Sequence, residues 1–138
     1  MNQDQVRERP LVLVADDEPD ILSLVSLRLR EAAYDIASAV DGRQALRVAR
    51  ERRPDAAVID VWMPEMDGYE LTRAIRADTD LRTMPVVLLS ASVRESEIHR
   101  GEEVGANDYL RKPFVPSELR QAVAAALTAD SASTEALR

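Results

Sequence analysis

Cysteine is missing altogether from this 138-residue chain, which removes disulfide cross-links, thiolate chemistry and every cysteine-based zinc centre. No apolar run approaches the roughly 20 residues that a membrane span requires. The run nearest the N-terminus, residues 11–15, is too short for the core of a secretion signal. Basic residues are in deficit, 18 Lys and Arg against 25 Asp and Glu, for a net charge of −7. An acidic chain is repelled by phosphate backbones unless its basic residues cluster. Arg28, Arg30, Arg43, Arg47, Arg50, Arg52 and Arg53 do gather in two segments, but apolar and acidic residues interleave them, as on solvated helix faces. The single histidine, His99, lies in a polar segment and reads as a surface residue, not a phosphorylated one. A soluble, cytoplasmic protein is expected, with no direct contact to nucleic acid or membrane.

What is present supports a single ordinary domain. The length suits one core, and a hydrophobic content of 46% supplies it. Strands are expected over 11–15, 34–39, 56–60 and 85–90, with a short fifth strand within 105–113. Each is a brief apolar run bounded by turn formers. Between them the 3.6-residue period predicts helices over about 19–32, 42–52, 69–77, 94–104 and 116–128. Pro19 suits a first helical turn, and Ile21, Leu24, Val25 and Leu29 form the expected apolar side of that helix. The fourth helix is different in kind. Ile98 and Val104 are nearly its only large apolar residues, and Gly101 inside it lowers helix propensity by about 1 kcal/mol relative to Ala. It is therefore the element expected to move.

Alternation of strand and helix implies a parallel sheet covered on both faces, an α/β doubly wound architecture. In such a sheet ligands bind beyond the carboxyl ends of the strands. Those ends carry Asp16 and Asp17 after the first strand, Asp60 after the third, Ser90 after the fourth and Lys112 after the fifth. Carboxylates brought this close raise one another's pKa and destabilise the fold. A hard divalent cation relieves that repulsion, and Mg²⁺ takes few carboxylates while keeping positions for water and a phosphate oxygen. The rim therefore predicts Mg²⁺ and a phosphoryl group, with Lys112 and Ser90 donating to phosphoryl oxygens. Taken singly, Asp16, Asp17 or Ser90 could merely cap a helix, and Tyr109 could be a core aromatic.

Asp16–Asp17, Asp60 followed by Met63–Pro64 and Gly68, Ser90–Ala91, and Tyr109 three residues before Lys112–Pro113 together resemble the receiver domain of two-component response regulators. The resemblance covers roughly residues 10–129, leaving 1–9 as an N-terminal tail and 130–138 as a tail or linker. It implies a flavodoxin-like fold with five parallel strands in the order 2-1-3-4-5 and five helices. It also implies phosphoryl transfer from a histidine kinase or histidine phosphotransfer protein onto Asp60. Asp17, Asp60 and the Trp62 carbonyl would ligate Mg²⁺, or Mn²⁺ in its place, with Asp16 acting through water. Lys112 would pair with the carboxylate or phosphoryl oxygen, and the Lys112–Pro113 peptide is typically cis in relatives. Ser90 and Tyr109 would be the switch pair, and the surface of helix four, strand five and helix five would act on a downstream protein or output domain. On this reading the chain is no turnover enzyme, catalysing only its own phosphorylation and slow dephosphorylation.

Two positions depart from the family pattern. Trp62 is bulkier than what relatives usually carry two residues after the acceptor, so it is expected to obstruct the water that hydrolyses the acyl phosphate. Asn107 and Ala122 stand where the DNA-binding branch commonly has Asp and Arg, which argues against its charge-paired dimer and leaves a monomer or a weak phosphorylation-dependent dimer. A flavin binder is disfavoured because the first loop, Asp–Asp–Glu, would repel a cofactor phosphate. An aspartyl phosphohydrolase is disfavoured because Trp62 cannot serve as the second acid. A receiver-shaped interaction module that is never phosphorylated is the remaining alternative. No effector domain is evident, so a stand-alone receiver or a portion of a larger regulator is expected.

Overall fold

The computed structural model describes residues 7–136, with side-chain surroundings from Arg7 to Thr128. Of the expected N-terminal tail, residues 1–6 lie outside the described part, as do Leu137 and Arg138 at the other end. The elements alternate throughout: β1 Leu11–Ala15, α1 Pro19–Glu31, β2 Asp35–Ala39, α2 Gly42–Arg52, β3 Ala56–Asp60, α3 Gly68–Ala77, β4 Val86–Ser90, α4 Glu95–Glu103, β5 Asp108–Arg111 and α5 Pro116–Ala136. The five strands form one parallel sheet in the order β2-β1-β3-β4-β5. Every residue of β1, β3 and β4 is buried, as befits central strands covered on both faces. The flanking strands β2 and β5 are partly exposed.

Successive strand residues face opposite layers, so the sheet divides the core in two. Leu13, Ile59 and Leu88 pack with Ala45 and Ala49 of α2, Leu71 and Ile75 of α3, and Val104 after α4. Val12, Val14, Val58 and Leu89 pack with Val25 and Leu29 of α1 and with Leu119, Val123 and Ala126 of α5. On α1 the buried stripe is narrower than expected. Val25 and Leu29 are fully buried while Leu24 is 40% exposed. Leu24 lies one residue off the row joining 25 and 29, and Ile21 and Leu22 complete the contact instead.

Helix starts follow local chemistry. Asp41 caps α2 by accepting from the Gln44 backbone N–H at 2.8 Å, and Asp67 and Glu70 form a reciprocal capping box on α3. By contrast, Arg94 at the start of α4 makes no side-chain cap. The last helix continues to Ala136, past the end expected at residue 128. No helix among the described residues is long and apolar enough to cross a membrane.

Candidate functional site

The register of the central strands assembles the site. Ala15 of β1 lies opposite Ile59 of β3, so Asp16 and Asp60, each one step further, leave neighbouring strand tips side by side. On the other side Asp60 lies opposite Leu89, and Ser90 opposite Arg111, which brings Ser90 and Lys112 to the same rim. Gly68 makes room for this corner. A Cβ there would stand 2.6 Å from the Asp60 carbonyl oxygen and 2.8 Å from the Val61 Cα, so the return of the chain into α3 requires glycine. Between them, Glu65 adopts a left-handed φ of 71°, with the Met66 N–H bonded to the Pro64 carbonyl at 2.8 Å.

Lys112 organises the charges. Its ammonium donates to Asp16 Oδ2 and to Asp60 Oδ1, both at 2.9 Å, and lies 3.7 Å from Glu18 Oε1. Asp16 and Asp60 are buried, at 1% and 5% exposure, whereas Asp17 is open to solvent. Oxygens from Asp16, Asp17 and Asp60 all lie within 4.8 Å of one another. The other oxygen of Asp16 accepts from the Glu18 backbone N–H at 2.9 Å. Burial is the largest influence on the Asp60 carboxyl and lifts it from 3.8 to about 6. The Lys112 hydrogen bond opposes that lift, while the charges of Asp16 and Asp17 add to it. For Lys112 burial works against the charged form, but hydrogen bonds and charge from Asp60 and Asp16 outweigh it, leaving the amine above its ordinary value. Both partners of the ion pair move up: Asp60 chiefly because it is buried, with two neighbouring acids adding to the rise, and Lys112 because it answers to two carboxylates.

The donor set suits a hard divalent cation. It consists of carboxylate oxygens, and no described hydrogen bond ends on the Trp62 carbonyl expected beside them. The Lys112–Pro113 peptide is cis, as expected. Ser90 is buried, and its Oγ accepts from the Ser92 backbone N–H at 3.2 Å rather than capping α4. Tyr109, on β5, is half-buried, and its hydroxyl lies 3.2 Å from that of Tyr69. Trp62 is 54% exposed and meets Tyr69 edge-on, with ring centroids 6.3 Å apart. His99 is exposed beside Glu103, at 3.3 Å. Six of the clustered arginines, Arg30, Arg43, Arg47, Arg50, Arg52 and Arg53, are exposed, Arg50 pairing with Asp78 and Arg53 with Asp80. Arg28 departs from that expectation, half-buried with its Nε unbonded while its guanidinium pairs with Glu31.

Three neighbours escaped the reading of the sequence. In the sequence Glu18 stands only as the third acid of the first loop, Gly68 only as part of the family pattern, and Tyr69 only as the first residue of a helix. Tyr69 did leave a signal. A phenol among buried helix residues needs a partner for its hydroxyl, and nothing adjacent in the chain supplies one.

A family model described as the response regulator receiver domain matches residues 12–124. The chain belongs to this family. It is 47% identical over 119 residues to the transcriptional regulatory protein PrrA of Mycobacterium tuberculosis, an alignment covering 86% of this chain and 50% of PrrA. It is 40% identical over 124 residues to the DNA-binding response regulator MtrA of Mycolicibacterium smegmatis, covering 90% of this chain and 52% of MtrA. Among solved structures, it matches the receiver domain of a sensor histidine kinase from Pseudomonas aeruginosa at a TM-score of 0.81 and 32% identity. That match covers 87% of this chain and 98% of the other, which is described with a magnesium ion coordinated in its active-site cleft. This receiver thus spans about half the length of the curated relatives it matches. Because those relatives are transcriptional and DNA-binding regulators, the expectation of no direct nucleic-acid contact finds no support. Receivers of this family bind Mg²⁺ at an acidic pocket, and the aspartate cluster here is of that kind.

Proposed function

We propose that this receiver takes a phosphoryl group from a phosphohistidine of a histidine kinase or phosphotransfer protein onto Asp60. In the reaction an Asp60 carboxylate oxygen forms a bond to phosphorus as the P–N bond breaks, and the electron pair leaves with the imidazole nitrogen, which is then protonated. The observation that carries this reading is the Lys112 ammonium held 2.9 Å from both Asp16 and Asp60, with three acids gathered around it. An acyl-phosphate acceptor needs a carboxylate that is ionised near neutral pH, buried enough to exclude bulk water, and faced by positive charge. Asp60, raised to about 6 and 5% exposed, meets all three conditions.

The roles then follow from position. Lys112 holds Asp60 Oδ1, leaving the second oxygen as the nucleophile, and stands ready to neutralise an incoming phosphoryl oxygen. Ser90, at the tip of the next strand, can exchange its bond from Ser92 for one donated to the phosphoryl group. Asp16, Asp17, Asp60 and the Trp62 carbonyl would hold Mg²⁺ (or Mn²⁺), which supplies charge neutralisation as the phosphoryl group is transferred. The added charge would bias the face made by α4, β5 and α5 toward a second arrangement read by an output domain or partner. On that face Ala122 is buried, and Asn107 accepts from Arg76 and from the Val86 backbone N–H, so neither offers a charge for pairing between copies. The test is Mg²⁺-dependent labelling by acetyl phosphate. Wild type should be labelled and Asp60→Asn should not. Labelling that persists in the variant removes Asp60 from the role.

A further inference from the structure

The grip on α4 is unusual in its chemistry. Its own large apolar side chain, Ile98, is only half-buried, and Val104 is buried just beyond its end. A helix anchored so thinly needs other contacts to fix its place. Three residues of one α4 face supply them, and all converge on two tyrosines. The Tyr69 hydroxyl donates to the Glu97 backbone carbonyl at 3.1 Å. The Arg100 guanidinium lies over the Tyr69 ring, 4.3 Å from its centroid. At Gly101 a Cβ would stand 3.1 Å from the Tyr109 ring and 3.3 Å from Leu88, so the missing side chain is the slot that admits Tyr109.

Tyr69 itself comes from α3, which follows the Asp60 loop, and its ring is 1% exposed. It is therefore a fixed post against which both α4 and Tyr109 lean. Its hydroxyl has two partners, Glu97 and the Tyr109 hydroxyl at 3.2 Å. A buried phenol needs such partners, and burial, followed by the neighbouring Tyr109 hydroxyl, holds its proton well above the ordinary tyrosine range. The same arrangement has Ser90 turned to the Ser92 backbone, engaged with its own loop and not with the acidic site.

We propose that the Tyr69 hydroxyl is the latch that holds Tyr109 and α4 in this resting arrangement, making Tyr69 a positioning residue of the switch. The inference deepens the proposed receiver function and rests on it for its biological meaning. The mechanism is economical: an element held by two hydroxyl contacts and one cation over a ring is released by a change far smaller than unfolding a packed helix requires. Swinging Tyr109 out of the Gly101 slot removes one partner of the Tyr69 hydroxyl, leaving α4 tied to Tyr69 by the Glu97 bond and the Arg100 cation.

The test uses Tyr69→Phe, which keeps the ring, the edge contact with Trp62 and the Arg100 stacking, and removes only the hydroxyl. Tyr109→Phe and the double variant complete a cycle. Amide hydrogen exchange across residues 95–103 is measured in the metal-free proteins, and the initial rate of labelling by acetyl phosphate is measured with Mg²⁺. In Tyr69→Phe, α4 should exchange about fivefold faster, the shift that one hydrogen bond of ordinary net strength supports, with β1 and β3 unchanged. Labelling should accelerate by a similar factor, and the double variant should exceed Tyr69→Phe by less than the product of the two single effects. Unchanged exchange in α4, or acceleration spread evenly over the sheet, overturns the latch. Arg100→Met, which removes the cation alone, gives an independent check in the same direction. If wild type is never labelled, the receiver function fails while the exchange data still decide the latch.

Discussion

Replacing Asp60 by asparagine should make the metal-free protein more stable at neutral pH, although it removes the proposed acceptor. The reason is electrostatic. Burial first, and the charges of Asp16 and Asp17 after it, hold the Asp60 carboxyl at about 6 instead of 3.8, equivalent to about 3 kcal/mol of unfavourable ionisation above that range. That figure is already net of the Lys112 attraction, and it is a ceiling because an amide fits the place of a protonated carboxyl imperfectly. An asparagine carbonyl can still accept from the ammonium at the 2.9 Å position but carries no charge, while Asp16 continues to pair with it. A net gain of about 1–2 kcal/mol is expected, or roughly 3–8 °C in Tm for a domain of this size. The sign with pH follows from proton linkage. Between about pH 4 and 6 folded wild type keeps a proton that the unfolded chain has released, so its stability falls as pH rises through that window and is level above it. The variant lacks this slope. Its advantage should be full above about pH 6 and vanish below about pH 4. Urea unfolding in EDTA from pH 4 to 8 measures it, and added Mg²⁺ should narrow the gap by stabilising wild type more. A variant less stable than wild type at pH 7.5 in EDTA, or a difference that ignores pH, would refute the reasoning.

Three further perturbations test neighbouring parts of the site. Lys112→Met leaves buried Asp16 and Asp60 without their shared cation and should destabilise the metal-free fold by about 3–5 kcal/mol at pH 8. The loss should be smaller at pH 5, where the Asp60 carboxyl, already lifted to about 6, takes up a proton, and equal losses at both pH values would count against the account. Trp62→Asn removes a 54%-exposed indole two residues after Asp60; on the proposed reading the acyl phosphate of the variant should decay several-fold faster than that of wild type. Matching half-lives after removal of the phosphodonor would dismiss the obstruction. Gly68→Ala forces a methyl to within 2.6 Å of the Asp60 carbonyl oxygen and should lower stability by about 1–3 kcal/mol in thermal melts; a neutral result would mean that the corner relaxes freely.

How legible the molecule was depended on how local each determinant is. The central strands declared themselves because a buried parallel strand is a short apolar run between turn formers. The rim residues did so because each directly follows such a run: Asp16, Asp60 and Ser90 stand at or one step beyond a strand end, and register alone then brings them together. The α1 stripe was nearly right and missed by one residue at Leu24, because periodicity gives the centre of a face better than its edge. Gly101 was read as a weakness in a helix, whereas its missing side chain is the space that Tyr109 uses. No window on the sequence of α4 contains that information. The phenol of Tyr69 signals that a partner is needed but not which one, since its hydroxyl partners lie 28 and 40 residues away along the chain. The extension of α5 to Ala136 went unseen because small and polar residues there carry no apolar period.

On the proposed reading, β5 is the link between the two halves of the switch. Lys112 leaves the end of that strand with its ammonium divided between Asp16 and Asp60. A phosphoryl group on Asp60 replaces a single carboxylate charge with a larger one placed further out, so Lys112 is drawn toward the new oxygens and away from Asp16. Tyr109 sits three residues earlier on the same strand, with its ring in the Gly101 slot and its hydroxyl on Tyr69. The two ends of β5 therefore answer to opposing constraints, a charge that draws on one and a hydroxyl contact that restrains the other. The strand is short, lies at the sheet edge and is only partly buried, so it can transmit a displacement without unpacking the sheet. A polar restraint on α4 belongs in such a design: a helix held by greasy side chains would resist a change on the scale that one phosphoryl group produces.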